Sequence, residues 1–324
     1  MPKDRLPLYD NARGVLILLV AMGHALEPKL SGDSLARGLY EGIYLFHIPA
    51  FAFLSGHLTQ PRFDGKTLKS LASGILAPLL IFQTLYVLFD AYVLGKGFDA
   101  HYLTRPYWIL WFLLSLFFWR LLLPLLVKTR APFTVAVVLA LGAGFVPAIG
   151  YVFSLSRTFV FLPCFVAGYL TTREQLVNAK LRPVAIAVGV ALLAVVIALS
   201  SGAVPSIDTR LLYGSSDYAA LGQVGLQGPL IRLTLLTAAL VLTRAFFLIT
   251  PNGSSALTRY GVVSLAPFLL HGFFIRLADS EGVLAKLPVV ACVVFGALLA
   301  VLLGLPPVVK LTRPLWNPMG RARG

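Results

Sequence analysis

Charged residues are scarce in this chain of 324 residues. They make up only 12% of it, against 58% hydrophobic residues, whereas a soluble domain carries about 25% charged residues. A water-soluble fold of this length could not cover so many apolar side chains. Cysteine is also nearly absent, and Cys164 and Cys292 both lie in apolar stretches. These shortages exclude a soluble domain, a disordered chain and a disulfide scaffold, and they indicate an integral membrane protein.

Acidic residues are in a clear minority among the charged ones. The chain has 13 Asp and Glu against 27 Lys and Arg, a formal net charge of +14. Such an excess is typical of nucleic-acid-binding proteins. It is equally typical of membrane proteins, because loops on the cytoplasmic side are enriched in Lys and Arg. The positions of the charges relative to the apolar segments decide between these classes.

Ten apolar segments approach the length of about 20 residues that crosses about 30 Å of hydrocarbon. They lie at approximately 13–30, 39–58, 70–90, 107–127, 131–149, 157–172, 182–201, 229–250, 259–277 and 286–310. The first could imitate a signal peptide, but it lacks a clear cleavage context and we interpret it as a retained helix. The sequence therefore predicts an all-α, polytopic membrane protein with about ten transmembrane helices, formed by a single membrane domain over residues 1–324.

The charges divide unevenly between the two sides of this arrangement. With the N-terminus in the cytoplasm, 18 of the 27 Lys and Arg residues but only 4 of the 13 acidic ones fall on the cytoplasmic side. This asymmetry predicts that both termini are cytoplasmic and that the protein is a multi-pass protein of the cell (cytoplasmic) membrane. The bilayer explains the basic excess, so we expect no nucleic-acid partner. The oligomeric state is left open.

The first predicted helix carries polar side chains that an apolar segment rarely contains. Arg13 and His24 are eleven residues apart, so they share one helical stripe and lie about 16 Å apart along the axis. Asp10 precedes Arg13 by three residues, on the same side. Such a stripe suits a long anionic ligand, with a phosphate at Arg13 and with His24 as a general base near the middle of the bilayer. The alternatives are a membrane-surface anchor for Arg13 and a structural hydrogen bond for His24.

Histidines also occur in the second and ninth predicted helices. His47 lies near the middle of the second, ahead of Pro49, which permits a kink, and of Ser55 and Gly56, which permit close helix approach. His271 lies past the middle of the ninth. Three histidines at overlapping depths raise the possibility of a metal site. No two of them are one helical turn apart and few carboxylates lie at that depth, so we predict no metal.

Five short motifs occur in order along nearly the whole chain. They are Asp10-x-x-Arg13-Gly14 with His24, His47-x-Pro49-x-Phe51-x-Phe53-x-Ser55-Gly56, Trp111-Phe112-Leu113-Leu114, Arg157-Thr158-Phe159 with Pro163 to Gly168, and Gly261 to His271. Together they resemble the signatures of the acyltransferase 3 family of membrane O-acyltransferases, in particular its fucose 4-O-acetylase-like branch.

This resemblance implies transfer of an acyl group, usually acetyl, from cytoplasmic acyl-coenzyme A to a hydroxyl of a carbohydrate or glycoconjugate at the outer side. Acetyl-CoA or another acyl-CoA would be a co-substrate, and no cofactor would be permanently bound. Arg13 and His24 match the arginine and histidine that the family uses for the donor, so they are the expected catalytic residues. Lys66 and Lys69 lie where the family often has arginines near the coenzyme, a departure because lysine cannot make a planar bidentate contact.

The remaining expected site residues divide into two groups. Those expected to contact the donor, beside Arg13, are Asp10, Lys66, Lys69, His47 and Ser55, of which His47 or Ser55 could donate to the developing oxyanion. Those expected near the acceptor are Glu41, Trp111, Arg157 and His271. An interfacial Trp111, an anchoring Arg157 and a helix-capping Glu41 are the structural alternatives. Two other function classes also remain open, a secondary transporter with histidines at the membrane midplane and a noncatalytic membrane assembly protein.

Overall fold

The fold is built from helices of very different lengths. A computed structural model describes residues 6–98 and 101–318, and within these ranges it contains no β-strand. Its α-helices, in chain order, are α1 (Pro7–Leu26), α2 (Ser34–Tyr44), α3 (His47–His57), α4 (Gly65–Leu71), α5 (Ala77–Tyr92), α6 (Trp111–Leu126), α7 (Pro132–Gly142), α8 (Leu155–Leu170), α9 (Arg173–Leu176), α10 (Arg182–Ser200), α11 (Thr209–Tyr213), α12 (Gln227–Ile249), α13 (Ala256–Val262), α14 (Leu265–Ser280), α15 (Val283–Lys286), α16 (Val289–Leu303) and α17 (Pro306–Trp316). Six residues counted for the predicted charge asymmetry lie outside the described ranges: Lys3, Asp4, Arg5, Asp99, Arg321 and Arg323.

Several of these helices are long and apolar enough to cross a membrane. Within the described ranges five qualify: Gly65–Tyr92, Trp108–Leu126, Val152–Leu170, Arg173–Ser200 and Gln227–Ile249. The count rises to seven if each of two bent pairs is one span, since α13 meets α14 at 81° and α16 meets α17 at 75°. The chain is therefore an all-helical, multi-pass membrane protein. Length and composition of the helices do not by themselves reach the predicted number of ten.

Two predicted spans are shorter or more interrupted than the sequence suggested. The segment 39–58 is divided into α2 and α3 at Leu45 and Phe46. The imidazole Nδ1 of His47 lies 2.8 Å from the carbonyl oxygen of Ile43 and gives this helix end a hydrogen bond. Hydropathy does not detect such a break, because both residues at the break are apolar. The segment 131–149 contains only α7 and a short 3-10 turn, Ala143–Phe145.

Helix α1 lies inside the protein, packed against α2, α3, α13, α14 and α16. It begins at Pro7, earlier than predicted, because its polar first turns are buried against protein rather than lipid. The amide of Asn11 donates to the carbonyl oxygens of Pro251 and Gly253, at 2.7 and 2.9 Å, and accepts from the hydroxyl of Thr258 at 2.7 Å. The helix also ends at Leu26, four residues before the end of the predicted segment, and this places His24 in the last turn of α1.

Helices α3 and α8 approach so closely that their backbones touch. A Cβ atom on Gly56 would overlap with the carbonyl oxygen of Phe165, and one on Gly168 would overlap with that of Phe53. Glycine is required at both positions, because any side chain would push the two helices apart. We call these contacts at Gly56 and Gly168 the glycine seam. The seam fixes the position of α3 against α8 and leaves Ser55 on the side of α3 that faces the site.

Candidate active site

A cavity of about 950 Å³ extends between α1, α3 and α6. All three helices contribute lining side chains, many of which recur at spacings of three, four or seven residues, as expected for one face of a helix. They are Tyr9, Arg13, Val20 and His24 on α1, His47, Ile48, Phe51 and Ser55 on α3 with Leu58 directly after it, and Trp111, Phe112, Leu113, Leu116 and Arg120 on α6. The cavity thus follows almost the full length of α1.

Arg13 and Asp10 form an ion pair at one end of this cavity. The guanidinium of Arg13 donates to the Asp10 carboxylate at 3.1 Å. Asp10 is only 1% exposed and does not line the cavity, whereas Arg13 is 28% exposed and does. The buried carboxylate therefore fixes the position of the guanidinium, and the Arg13 side chain lines the cavity.

His24 makes its hydrogen bond to a residue that the sequence analysis did not single out. Its Nδ1 lies 2.8 Å from Oε1 of Glu27, and the Tyr44 hydroxyl donates to the same oxygen at 3.1 Å. When the Glu27 carboxylate accepts this hydrogen bond, Nδ1 carries the proton and Nε2 keeps its lone pair. Glu27 thereby selects the tautomer of His24 that can take a proton at Nε2. Its three-residue spacing from His24 is the signal that could have revealed it.

Two aromatic residues hold the His24 ring in place. The ring centroid of Trp108 lies 4.4 Å away, and the ring of His271 stacks at 5.4 Å. His271 is fixed in turn by the carbonyl oxygen of Pro267, 2.9 Å from its Nδ1. Trp108 has a φ of +21°, which is uncommon for a residue other than glycine. Strained backbone of this kind clusters at functional sites. The imidazole is therefore packed on two sides and has little freedom to turn.

Arg157 and Trp111 lie together beside the same end of the cavity as His24. The Arg157 guanidinium carbon is 4.9 Å from the ring centroids of both Trp111 and Tyr151. Its Nε donates to the carbonyl oxygen of Tyr213 at 3.3 Å. Because Trp111, Arg157 and Tyr213 all line the cavity, aromatic faces and polar groups meet there within reach of one ligand.

The structure brings together about half of the site residues expected from the sequence. Six line this one cavity: Arg13, His24, His47, Ser55, Trp111 and Arg157. Five do not: Asp10, Glu41, Lys66, Lys69 and His271. Of these five, Asp10, Glu41 and His271 are buried and the two lysines are exposed. Direct contact of these five with a ligand in this cavity therefore has no support from its geometry.

Further lining residues were not singled out from the sequence for the site. Besides Glu27, they include Tyr44, Tyr213 and Arg120. From the sequence, Arg120 was counted only among the 18 basic residues expected on the cytoplasmic side. Among the lining residues that the structure describes, Glu27 is the only carboxylate. Positive charge is not confined to one part of the cavity, because Arg157 lies at the end near His24, where Glu27 supplies the carboxylate, and Arg13 lies towards the other end of α1.

The three convergent histidines do not create a metal centre in this arrangement. Within residues 6–98 and 101–318, no group of three or more His, Cys, Asp or Glu residues is placed to hold a metal ion. His24 is instead engaged with Glu27, His47 with the Ile43 carbonyl and His271 with the Pro267 carbonyl. The site is organised around hydrogen bonds to histidine.

Comparison with known proteins points to acyl-transfer chemistry. An acyltransferase domain model, Acyl_transf_3, matches residues 7–306. Nodulation protein NolL of Sinorhizobium fredii is 27% identical over 203 residues, covering 54% of this chain and 51% of the relative. NolL of Mesorhizobium japonicum is 33% identical over 84 residues, covering 24% of this chain and 22% of the relative. The chain thus spans about half the length of the first of these relatives and less of the second, and no solved structure matches it. Because the family match extends over nearly the whole chain, the protein belongs to the acyltransferase 3 family.

Proposed function

We propose that the protein is a membrane O-acyltransferase. It moves an acyl group, acetyl in the simplest case, from cytoplasmic acyl-CoA to a hydroxyl of a carbohydrate or glycoconjugate on the extracytoplasmic side. The observation that carries the proposal is the single cavity lined by Arg13 near one end of α1 and by His24 near the other. Membership of an acyltransferase family supports acyl transfer as the reaction.

The donor enters from the cytoplasmic side in this mechanism. Arg13 binds a phosphate of the coenzyme through charge-assisted hydrogen bonds. Lys66 and Lys69 add positive charge at the inner surface, where Ser70 and Gly74 further along the chain line the cavity. The pantetheine arm then follows the α1 stripe for about 16 Å, the rise of eleven helical residues. This places the thioester beside His24.

His24 acts as the general base. Its Nε2 takes the proton of the acceptor hydroxyl as that oxygen attacks the thioester carbonyl carbon, the new C–O bond forms, and the C–S bond breaks. The same proton passes from Nε2 to the departing thiolate, so no net proton is gained or lost. Glu27 accepts from Nδ1 throughout and stabilises the transient imidazolium.

His47 and Ser55 contact the donor rather than the oxyanion. In neutral His47, Nδ1 donates a hydrogen bond to the carbonyl oxygen of Ile43, 2.8 Å away. Its Nε2 can therefore only accept a hydrogen bond. Ser55 lies eight residues further along α3, about 12 Å inward of His47. Both residues line the cavity, and we place them along the pantetheine arm, whose amides offer donors and acceptors.

The acceptor approaches from the outer side. Trp111 and Tyr213 offer aromatic faces, and Arg157 offers donors that remain beside its bond to the Tyr213 carbonyl. This combination suits a hydroxyl-rich ring such as a sugar. His271 has an indirect part, since its stacked ring holds His24 in place, and Glu41 takes no direct part in acceptor binding.

The topology that goes with this mechanism is the one expected from the charges. We propose ten membrane segments in one domain over residues 1–324, with both termini cytoplasmic and each interrupted helix counted as one segment, in the cell membrane. Single cysteines at the exposed positions Lys128 and Arg105 test it, since Cys164 and Cys292 are buried. A membrane-impermeant thiol reagent added to intact cells should label the Arg105→Cys protein alone. Labelling of the Lys128→Cys protein would contradict the orientation.

Turnover by the purified protein tests the reaction. We expect thiol release from acetyl-CoA that depends on an added methyl glycoside, beginning with a fucoside. His24→Ala should lower the rate about 10²–10⁴-fold, the usual contribution of a general base, without lowering the melting temperature. The matched control is His101→Ala in an exposed loop, which should leave the rate unchanged. Glycoside uptake into vesicles without coenzyme consumption would instead identify a secondary transporter.

A further inference from the structure

The segment that leads into α6 is held by a buried glutamine on α5. Gln83 is only 6% exposed, and its side-chain oxygen accepts from the backbone N–H of Tyr107 at 2.7 Å. Its amide nitrogen donates to the carbonyl oxygens of Tyr102 and Arg105, at 2.7 and 3.1 Å. A buried amide is costly unless its polar atoms are bonded. These three hydrogen bonds therefore satisfy Gln83 and fix the segment 102–107 against α5.

The side chain of Tyr107 holds the end of this segment a second time. Its ring stacks on that of Tyr86 on α5, with centroids 4.5 Å apart. Its hydroxyl donates to the Asp90 carboxylate at 2.9 Å, and Asp90 pairs with Arg276 of α14 at 3.1 Å. Backbone and side chain of Tyr107 are thus both fixed, and Tyr107 directly precedes Trp108.

Trp108 is the residue that this anchoring places against the proposed general base. Its ring centroid lies 4.4 Å from that of His24, and its side chain lines the cavity. Its φ of +21° is a conformation that persists only where the surrounding structure imposes it. A tryptophan ring within about 6 Å attracts a cation. Trp108 is therefore placed to stabilise the charge that forms on His24 when this residue takes a proton.

We propose that Gln83 is a positioning residue for His24 and acts through Trp108. Its hydrogen bonds hold the segment 102–107, and that segment holds the indole ring against the imidazole. Gln83 does not itself line the cavity, so it contacts neither substrate there. The effect on catalysis rests on the proposed function, whereas the hold of Gln83 on Trp108 does not.

Steady-state acyl transfer by the purified full-length protein tests the effect on catalysis. Gln83→Ala should lower kcat about 2- to 30-fold, the loss expected when an aromatic ring no longer stabilises a cation. The KM values for both substrates should stay within twofold, because the binding surfaces are unchanged. The matched control is Thr84→Ala, the next residue on α5, which is exposed and donates to the Leu80 carbonyl of its own helix. It should leave kcat unchanged.

A double-mutant cycle separates positioning from a general loss of structure. Trp108→Ala should lower kcat at least as much as Gln83→Ala, and the double variant should have the same kcat as Trp108→Ala within twofold. Tyr107→Phe, which loses only the hydroxyl bonded to Asp90, is a milder second variant. It should cause a smaller fall in kcat that also disappears in the Trp108→Ala background. Equal losses with and without Trp108, or no loss in Gln83→Ala, would overturn the proposal.

Fluorine NMR of protein carrying 5-fluorotryptophan tests the hold on Trp108 without turnover. The chain has four tryptophans, and Trp108→Phe identifies the Trp108 resonance by its disappearance. His24→Ala should shift this resonance, because the two rings are in contact. Gln83→Ala should shift and broaden it, but should leave in place the resonance of Trp119, whose indole N–H donates to the Thr158 carbonyl.

The two measurements also separate this proposal from the proposed function. If the Trp108 resonance responds to Gln83→Ala while the wild-type protein transfers no acyl group to glycosides, Gln83 positions Trp108 and the proposed reaction is wrong. If transfer proceeds and the resonance does not respond to Gln83→Ala, the reaction stands and the positioning role is wrong.

Discussion

The hydrogen bond between Glu27 and His24 makes a quantitative prediction. Glu27→Ala removes the carboxylate that accepts from Nδ1 at 2.8 Å, and with it the control over the tautomer. A hydrogen bond to a charged group contributes about 1.5–3 kcal/mol. If that contribution is made mainly to the imidazolium in the transition state, kcat falls about 10- to 150-fold. The fall in kcat should remain smaller than that caused by His24→Ala, because the His24 imidazole can still accept a proton without its hydrogen bond to Glu27.

The assay is steady-state acyl transfer with acetyl-CoA and acceptor varied separately. We expect the KM values for both substrates to stay within threefold, since Glu27 acts through His24. Glu27→Gln should be impaired as well, because a neutral amide keeps the shape but not the charge. The control is Glu281→Ala, which removes an exposed carboxylate at the end of α14. A raised acceptor KM with unchanged kcat would refute the reasoning and would assign Glu27 to acceptor binding.

Two further predictions concern the scaffold and the outer part of the site. Gly56→Ala places a methyl group against the Phe165 carbonyl and should destabilise the protein by about 1–3 kcal/mol, measured as a lower melting temperature in detergent. The control is Gly189→Ala, whose methyl group meets no atom within 4 Å and should not lower the melting temperature. Arg157→Gln removes a guanidinium that lines the cavity beside Trp111. Loss of a charged hydrogen bond to the acceptor, worth about 1.5–3 kcal/mol, should raise the acceptor KM about 10- to 150-fold while leaving the acetyl-CoA KM unchanged. An unchanged acceptor KM would exclude Arg157 from acceptor binding.

The helical membrane architecture could be predicted because it follows from composition. A chain with so few charges has to place its apolar segments in lipid, and lipid requires them to be helical. The boundaries were harder to predict. The break at Leu45 and Phe46 lies between apolar residues, and its one local signal is Pro49, because proline removes the helical hydrogen bond to the carbonyl four residues earlier, that of Leu45. The early start of α1 depends on Asn11 being bonded to a loop that lies 240 residues later in the chain, which no local pattern contains.

Part of the candidate site could be predicted for a similarly simple reason. Helical periodicity alone places Arg13 and His24 on one face, and both line the cavity. Arg120 and Glu27 were missed because their significance depends on which helices are neighbours. Glu41 and His271 carry the same kinds of functional group as the residues that line the cavity, but packing places both of them outside it. Residue type indicates what a side chain can do, and only tertiary structure shows what it faces.

The glycine contacts between α3 and α8 also limit how this protein can adapt. Where two main chains touch, there is no side chain to shorten, lengthen or rotate, so that wall of the cavity has a fixed position. A different donor or acceptor can therefore be accommodated by exchanging the side chains that line the cavity, and not by moving α3 and α8 relative to each other. Among proteins with this fold, differences in substrate should accompany differences in those lining residues, while Gly56 and Gly168 tolerate little change.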